Sequence, residues 1–355
     1  CGLSPSARLK GRLGDARPAV GRFAMLTSAA IKARAIELGF DLCGIAPAGD
    51  FPELRFLSEW LARGYAGRMT YLNRTARRRA DVRAWLPSAR SVIVVACVYN
   101  TSQPASLDES DAGVAAIARY AWGDDYHGTM GARIETLVEW MRSASAEPFD
   151  AATCVDHGPV QERVYAQYAG LGWIGKNSLV IREGLGSWFF LGCIVTTLPL
   201  QPNVALENLC GECKACMEAC PTGAIVEAGV VDARRCISYQ TVENRKELDS
   251  DVAKHIDPWV FGCDMCQEVC PWNRDVKKTS EQQFHPITKH ANPDPHELLG
   301  LTIESFAHEF TNTPISRAGL AKIKKNVLKI LENRGQSIPL RQGFAGASEK
   351  EPPSE

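Results

Sequence analysis

Eight of the thirteen cysteines in this chain stand at spacings that suit metal ligation. The first four follow the pattern C-x2-C-x2-C-x3-C, with Pro221 next, and are Cys210, Cys213, Cys216 and Cys220. The second four repeat the pattern with the leading cysteine moved upstream by an insertion, with Pro271 next, and are Cys236, Cys263, Cys266 and Cys270. Such a run is typical of [4Fe–4S] ligation, and its fourth cysteine serves the other of two clusters.

These spacings predict two [4Fe–4S] clusters that exchange their fourth ligands. The first cluster takes Cys210, Cys213, Cys216 and Cys270, and the second takes Cys220, Cys236, Cys263 and Cys266. A zinc ribbon usually uses two CxxC pairs, which would not account for this longer run. Disulfides need an oxidising compartment, and the chain shows no secretory apolar segment. The remaining internal cysteines lie in apolar stretches and are expected to be buried thiols.

Composition limits the classes of protein that remain. The chain has 355 residues, 45% of them hydrophobic, which is enough for two domains with their own cores. A net charge of −1 provides no general attraction to nucleic acid, so any such contact must use local basic patches. No apolar run is long enough to span a membrane. We therefore expect a soluble, cytoplasmic protein, because thiolate-held clusters need reducing surroundings.

Patterning divides the chain into five predicted segments. Residues 27–200 alternate helices and strands, which predicts an α/β domain. Residues 201–280 form the cluster module and residues 281–335 a helical segment, whereas the basic stretch 1–26 and the polar stretch 336–355 are expected to be disordered. The predicted strands are 40–46, 91–99, 150–154, 178–181 and 187–197. The predicted helices are 28–38, 53–63, one capped by Thr129, one starting at Pro159 and one at 316–334.

One stretch resembles a nucleotide-binding motif but fails its structural requirements. Residues 170–175 read GLGWIG and satisfy G-x-G-x-x-G, and Lys176 extends them towards a P-loop. Both motifs need a strand before and a helix after, because the helix N-terminus binds the phosphate. Here a predicted helix precedes and a predicted strand follows. We expect a glycine-rich turn whose backbone can approach a bulky flat ligand, with donors from Lys176 and Asn177 at its edge.

Several segments together resemble the epoxyqueuosine reductase family. They are RYAWGDDYH at 119–127, DHGPVQER at 156–163, GLGWIGKNS at 170–178, GSWFFLG at 186–192, CISY at 236–239 and GCDMCQEVCPWN at 262–273. The resemblance covers about 27–335 and is specific only in combination. It implies a nitroreductase-like, cobalamin-binding α/β (α+β) domain fused to a ferredoxin-like module with two [4Fe–4S] clusters and a short helical C-terminal segment.

The resemblance also implies a reaction, its cofactors and its partners. The family reduces epoxyqueuosine to queuosine at the wobble position of tRNA, with cob(II)alamin as the reactive centre and an external electron donor. The resemblance assigns Asp156 as the proton donor, a role that requires burial to raise the pKa of that carboxyl. The expected cobalamin-pocket residues are Arg79, Arg119, Asp156, Lys176, Asn177, Ser178, Ser238 and Tyr239. We expect a monomer with no membrane contact.

Two alternatives of other kinds remain at this stage. A reductive dehalogenase combines cobalamin with the same clusters, but usually carries a twin-arginine export signal. A ferredoxin-type electron-transfer protein would not need the long segment before the clusters. Asp156 itself could simply cap a helix.

His127 does not fit a cobalt ligand, because the D-x-H-x-x-G pattern of His-ligated cobalamin enzymes would need Gly where Met130 stands. We therefore expect cobalamin without a His127–cobalt bond.

Two basic segments are candidates for anion contact. The first contains Arg74, Arg77, Arg78, Arg79 and Arg83, and is either a solvated helical face or an anion-binding one. The second is the helix at 316–334, whose cations are Lys322, Lys324, Lys325, Lys329 and Arg334. This helix is either an ordinary amphipathic surface helix or a phosphate contact for RNA, and phosphate contact is the interpretation that we favour.

Overall fold

The computed structural model describes residues 26–103, 113–287 and 290–336. The disorder predicted for 1–26 and 336–355 therefore lies outside the described residues, except at Leu26 and Gln336. The described strands, β1 to β10, are Leu42–Pro47, Ser91–Val98, Ala116–Ile117, Ala151–Cys154, Trp173–Ile174, Val180–Ile181, Phe189–Thr196, Ile225–Glu227, Val230–Val231 and Trp259–Phe261. The described α-helices, α1 to α12, are Ser28–Glu37, Pro52–Ala62, Thr70–Ala80, Tyr126–Ala144, Glu162–Tyr168, Ala215–Glu218, Ile237–Val242, Ser250–Ala253, Met265–Glu268, Pro295–Gly300, Ile303–Glu309 and Leu320–Asn333.

A four-stranded antiparallel sheet organises the first half of the chain. Its strand order is β1-β2-β7-β4, and every residue of β2 is buried. Val92 and Val94 on one face of β2 pack with α2 and α5, whereas Ile93 and Val95 on the other pack with α1 and α4. Because both faces are covered, β2 reads as a continuous apolar run instead of an alternating one. The fold is thus α+β: helices alternate with strands, yet the strands run antiparallel.

In the first half of the chain, two helix starts differ from their predicted positions. Helix α4 begins at Tyr126, because the side chain of Asp125 accepts a hydrogen bond from the backbone of His127, so Asp125 is the cap and Thr129 lies inside the helix. Helix α5 begins at Glu162, after the predicted start at Pro159, and its first residue follows Gln161, which makes no side-chain capping hydrogen bond.

The structure confirms that the GLGWIG stretch is not a nucleotide motif. It follows α5 and leads into the hairpin β5–β6, so no helix begins there. A Cβ on Gly170 would lie 2.6 Å from the Val204 carbonyl oxygen, and one on Gly172 would lie 2.2 Å from that of Ile181. These two glycines thus allow close packing within the chain, and the approach of the turn to a flat ligand stays a prediction.

The cysteine-rich part shares a core with the C-terminal helices. Short helices α6 and α9 carry Cys216 and Cys266, and β10 pairs with β3 of the preceding half. Trp259 and Phe261 of β10 pack with Ile323 and other buried residues of α12. Helix α12 starts at Leu320 instead of 316, because a 3-10 turn at Pro314–Arg317 and the positive φ of Gly319 (+78°) precede it.

Most of the basic side chains of α12 serve this packing. Lys322 is buried, with its ammonium donating to the Gln240 carbonyl, and Lys325 pairs with Glu247. Arg334 donates to the Asp257 carboxylate at 2.6 Å. Each of these side chains is already bonded within the chain, Lys322 to a carbonyl and Lys325 and Arg334 to carboxylates, which disfavours the phosphate contact that we predicted for them. Among the described helices, none has the length and apolarity needed to cross a bilayer.

A polar cluster holds the sheet domain against the cysteine-rich part. The Asn273 carboxamide oxygen accepts from the Ser187 backbone at 2.6 Å, and the Ser187 hydroxyl donates to the Gln267 carboxamide at 2.9 Å. Gly186 makes this approach possible, because a Cβ there would lie 2.0 Å from the Asn273 oxygen. Gly186 also has a φ of +67°, which disfavours any other residue.

We expect Gly186→Ala to destabilise the protein more than Gly184→Ala does. Both positions have positive φ, which costs an alanine about 1–2 kcal/mol, but only Gly186 lacks room for a methyl group. Steric overlap there adds about 1–3 kcal/mol. Thermal unfolding and cluster absorbance of the two reconstituted variants measure the difference. Equal losses would show that contact with Asn273 is not what requires glycine.

Candidate active site and metal centre

The four cysteines assigned to the first cluster line a single cavity. Cys210, Cys213, Cys216 and Cys270 surround it together with Lys176, Asn177, Ile181, Pro271 and Trp272. Burial, followed by the neighbouring thiols of Cys270, Cys210 and Cys213, raises the pKa of Cys216. These thiols therefore oppose one another's ionisation, an effect that a bound cationic metal group reverses because coordinating thiols are deprotonated.

The four cysteines assigned to the second cluster form a separate group. Burial raises the pKa of Cys236, and the charge of Cys220 adds to it. Burial and the neighbouring Cys266 raise the pKa of Cys263 well above its ordinary value. Among the described residues, no three His, Cys, Asp or Glu side chains are arranged to hold a single metal ion. The donor sets fit two four-thiolate groups, as predicted from the spacing.

Two residues expected in the cobalamin pocket instead support the cysteine loops. Lys176 donates from its ammonium to the carbonyl oxygens of Gly211 at 2.6 Å and Cys213 at 2.8 Å. Asn177 donates from its carboxamide to the Cys266 carbonyl at 3.2 Å. These hydrogen bonds tie the turn after α5 to loops that carry cysteines of both groups. These donors are thus already used within the chain, and contact of Lys176 and Asn177 with the cofactor stays a prediction.

Asp156 lies on a strained turn directly after β4. Its φ is +60°, and its backbone N–H donates to the Glu162 carboxyl at 2.8 Å. The side chain is 66% exposed, and its Oδ2 accepts from the Tyr126 hydroxyl at 2.9 Å. A non-glycine residue in the left-handed region is uncommon and often marks a functional site. The turn therefore exposes the carboxylate to solvent, while the hydrogen bonds of its side chain with Tyr126 and of its backbone with Glu162 fix its position.

The electrostatics of Asp156 are opposite to those expected of a ready acid. Burial of the carboxylate among surrounding atoms raises its pKa, but the interactions with His127 and Tyr126 outweigh burial and lower the pKa to about 2. The pKa of Asp156 is therefore lowered by its protein neighbours, and the raised pKa that the proton-donor role requires under a bound ligand stays a prediction. The cause of the lowered pKa is the hydroxyl and imidazole placed beside the carboxylate, which stabilise its charged form.

His127 connects Asp156 to the C-terminal segment. Its Nδ1 lies 2.7 Å from Asp125 Oδ1, and its Nε2 lies 3.6 Å from Asp156 Oδ2 and 3.0 Å from an Arg317 nitrogen. Burial lowers the pKa of His127, yet the contacts with Asp125 and Asp156 raise it overall. Both ring nitrogens face protein groups, which favours the prediction that His127 does not bind cobalt.

Glu162 supports the Asp156 turn from the interior. Its carboxyl accepts from the Asp156 backbone, and the Cys154 thiol lies 3.8 Å from the same oxygen. Burial, followed by the charges of Cys154 and Asp156, raises the pKa of Glu162 well above its ordinary value. A neutral Glu162 can accept this hydrogen bond without adding a second negative charge next to Asp156.

Aromatic and acidic side chains surround the Asp156 carboxylate. Tyr71 of α3 is 38% exposed, and burial, followed by the charges of Glu243 and Asp156, raises its pKa to about 12. Tyr239 of α7 lies beneath α3, with its hydroxyl accepting from the Arg68 backbone at 2.7 Å. Glu243 is also exposed, and its charge interacts with Tyr71 and Asp156, so these three side chains share one solvent-facing region, which we call the Asp156 cleft.

The other predicted pocket residues divide into two groups. Arg79 donates to the Val160 carbonyl at 3.1 Å and therefore lies near the Asp156 turn. Ser238 lies in the first turn of α7, close in sequence to Cys236 of the second cysteine group. Arg119 is buried over the Trp122 ring at 4.4 Å, and Ser178 uses its carbonyl to accept from Arg163 at 3.0 Å. Arg119 is buried, and its predicted place in the cobalamin pocket stays a prediction.

Three functional side chains were missed from the sequence. Tyr126 and Glu162 both lie within segments that resemble the family, but no role was assigned to either. Tyr71 had no local signal beyond an aromatic residue next to the arginine run. Only contacts between distant segments show that Tyr126 and Tyr71 face Asp156.

Comparison with known proteins supports this arrangement. A family model described as "Epoxyqueuosine reductase QueG, DUF1730" matches residues 79–157, and one described as a 4Fe-4S double cluster binding domain matches residues 209–273. An epoxyqueuosine reductase of Gloeobacter violaceus is 42% identical over 321 residues, covering 88% of this chain and 98% of its own. One from Synechocystis is 40% identical over 288 residues, covering 80% and 98%.

Solved structures agree in fold with this chain. A crystal structure of an epoxyqueuosine reductase with an epoxyqueuosine-modified tRNA-Tyr stem loop has a TM-score of 0.78 and 27% identity, covering 86% of this chain and 80% of that one. A Bacillus subtilis epoxyqueuosine reductase, with its aspartate-bearing catalytic loop swung out of the active site, also has a TM-score of 0.78 and 27% identity, covering 86% and 81%.

Fold, cysteine groups and matched domains define an iron–sulfur oxidoreductase with two [4Fe–4S] clusters. The identity to relatives along most of their length settles the family within that class. The chain belongs to the epoxyqueuosine reductase family.

Double substitutions test the exchanged fourth ligands. If Cys216 and Cys270 serve the same cluster, Cys216→Ser, Cys270→Ser and the double variant should each fall from about eight to about four irons per chain. Cys216→Ser with Cys266→Ser should lose nearly all iron, because each cluster then lacks a ligand. Iron analysis after anaerobic reconstitution gives these values, with Cys97→Ser as a buried-thiol control. Additive loss in the first double variant would contradict the assignment.

Proposed function

We propose that this chain reduces epoxyqueuosine to queuosine within tRNA, using a cobalamin bound in the Asp156 cleft. The observation that carries this proposal is a charged Asp156 on a strained turn, exposed to the cleft and flanked by Tyr126 and His127. Family membership supplies the reaction, and the tRNA stem loop bound by a related enzyme supports tRNA as the substrate. The competing dehalogenase and electron-transfer interpretations lack this support.

The residues around the cleft fit a broad, flat cofactor. Asp156, Tyr71 and Glu243 are exposed, yet burial raises the pKa of both Tyr71 and Glu243, so protein surrounds them on the remaining sides. A macrocycle with an apolar face and polar edge groups matches such a partly enclosed surface. Tyr239, Ser238 and Arg79 would hold it, since they lie between the second cysteine group and the Asp156 turn.

The proposed overall reaction balances in atoms, electrons and protons. Converting the epoxide to the alkene breaks two carbon–oxygen bonds, consumes two electrons and two protons, and releases one water. A corrin held there would supply a strongly nucleophilic metal centre for the strained carbon–oxygen bond. The two electrons would come from an external donor by way of the two clusters. The protein's own task is to orient the epoxide and deliver protons to the departing oxygen.

Asp156 and His127 together carry out the proton delivery in this proposal. In the open cleft Asp156 is ionised and His127 has a raised pKa, so the proton rests on the imidazole side. A ligand covering the exposed carboxylate removes water from it, which raises its pKa and favours transfer of that proton to Asp156. Tyr126 and Glu162 keep the carboxylate oriented throughout, because they hold its side chain and backbone respectively.

We also propose a domain organisation, an oligomeric state and a cellular compartment for this chain. We propose that 27–200 binds the corrin and substrate, that 201–280 holds the clusters, and that 281–335 completes the fold. The enzyme works as a monomer and takes electrons from a separate donor protein. It is cytoplasmic, since accessible cluster thiolates such as that of exposed Cys213 need reducing surroundings.

The direct test uses anaerobic enzyme with restored clusters and cobalamin, a strong reductant and an anticodon stem loop carrying epoxyqueuosine. Wild-type enzyme should remove one oxygen atom from the nucleoside, as measured by mass spectrometry. Asp156→Asn should react about 10²–10⁴-fold more slowly, because the amide cannot relay a proton. An unchanged rate in Asp156→Asn would remove Asp156 from its role, whereas no product from wild type would overturn the proposed function.

The rate should fall as pH rises if His127 supplies the proton. A raised pKa means that the protonated imidazole is present below that pKa and is lost above it. Asp156, with a pKa of about 2, does not titrate in this window. Single-turnover rates between about pH 5.5 and 8.5 should therefore decline in wild type and be slower and flatter in His127→Gln. The same decline in both enzymes would exclude His127 as the source.

A further inference from the structure

The outer face of α3 carries a group of cations without partners. Arg74, Arg77 and Arg78 are exposed, and Arg68 is exposed just before the helix. Within the described residues, no carboxylate lies within ion-pair distance of these three helical guanidinium groups. The segment 64–80 contains five arginines and no Asp or Glu. This face, which we call the α3 arginine face, is thus a concentrated positive surface.

Folding alone does not favour this arrangement. Arg74 lies three and four residues before Arg77 and Arg78, so the like charges are neighbours on the helix and destabilise it. The helix dipole favours cations only in the last turn, which includes Arg77 and Arg78 but not Arg74. By contrast, α12 has Lys322, Lys325 and Arg334 bonded within the chain. A polyanionic partner would relieve the repulsion on α3.

Both ends of α3 are fixed to the Asp156 cleft. At the N-terminal end, the Tyr239 hydroxyl accepts from the Arg68 backbone at 2.7 Å. At the C-terminal end, Arg79 donates to the Val160 carbonyl and Gln161 donates to the Arg79 carbonyl, both at 3.1 Å. Gln161 and Val160 follow Asp156 on the same loop. The α3 arginine face therefore lies beside the place where the substrate must enter.

An exposed aromatic ring accompanies the cations. Tyr71 is 38% exposed on the first turn of α3, and its electrostatic interaction with Asp156 and Glu243 places it at the edge of the cleft. Exposed aromatic rings next to basic side chains are typical of single-stranded nucleic-acid contacts, in which bases stack and the backbone meets positive charge. Arginine contacts to phosphates fix the position of a nucleic acid and add affinity, but they do not discriminate its base sequence.

We propose that the α3 arginine face binds the phosphate backbone of the RNA that enters the Asp156 cleft. This inference rests on the proposed function and names the surface that docks the substrate. Arg74, Arg77 and Arg78 neutralise phosphates, and Tyr71 supports an unpaired base at the mouth of the cleft. Helix α12 takes no comparable part.

The test compares two triple variants that remove the same charge. In one, Arg74, Arg77 and Arg78 become Gln, and in the matched control Lys324, Lys325 and Lys329 of α12 become Gln. Binding of a fluorescent epoxyqueuosine stem loop to cluster- and cobalamin-loaded enzyme is followed by anisotropy at several salt concentrations. The α3 variant should bind at least about tenfold more weakly at low salt, with a salt slope shallower by about 2. The control should change less than about threefold.

A third variant, with Arg74, Arg77 and Arg78 changed to Lys, should recover most of the affinity, because phosphate contact needs charge more than shape. Equal weakening in the α3 and α12 triples, or no weakening in the α3 triple, would overturn the inference. Loss of bound corrin with RNA affinity intact would assign the arginines to the cofactor and also overturn it. Wild-type turnover of the stem loop, measured alongside, shows separately whether the proposed function stands.

Discussion

Two groups of four thiols, each drawn from separate stretches of the chain, set the constraint that the rest of the structure satisfies. Cys270 joins the group that starts at Cys210, whereas Cys220 joins Cys236, Cys263 and Cys266. Such an exchange requires the loops around α6 and α9 to lie side by side. Lys176 and Asn177 from the sheet domain then donate hydrogen bonds to carbonyls of those loops, and Ser187 donates to the carboxamide oxygens of Gln267 and Asn273. The electron-carrying part and the Asp156 turn are thereby fixed in one frame.

Features that depend on nearby residues were predictable from the sequence. The cysteine groups follow from spacing, because ligands two or three positions apart must approach the same metal group. The strand at 91–99 and the rejection of a nucleotide-binding motif at 170–175 both follow from local sequence patterns, and both agree with the structure. The role of Asp156 as proton donor followed from family resemblance and stays a prediction.

Features that depend on distant residues were not predictable. The charge of Asp156 is set by Tyr126 and His127, about thirty positions away in sequence. Lys322 reads as the polar face of an amphipathic helix, yet its ammonium reaches a carbonyl across the second core. Arg119 is buried in part by Trp188, which precedes β7. In each case the partner belongs to a distant element, and periodicity carries no information about it.

The 3-10 turn at Pro314–Arg317 lies near the end of the described chain, yet its Arg317 contacts residues beside Asp156. Its guanidinium contacts His127 at 3.0 Å and donates to Asp125 at 2.8 Å, which also caps α4. The imidazole beside Asp156 is therefore fully braced only after some 190 further residues have been made. The core on the α1 and α4 side of the sheet also includes later residues, Val276 and Phe284. The group that we propose to handle the proton is thus held in place, like the core beside it, by segments far from it in sequence.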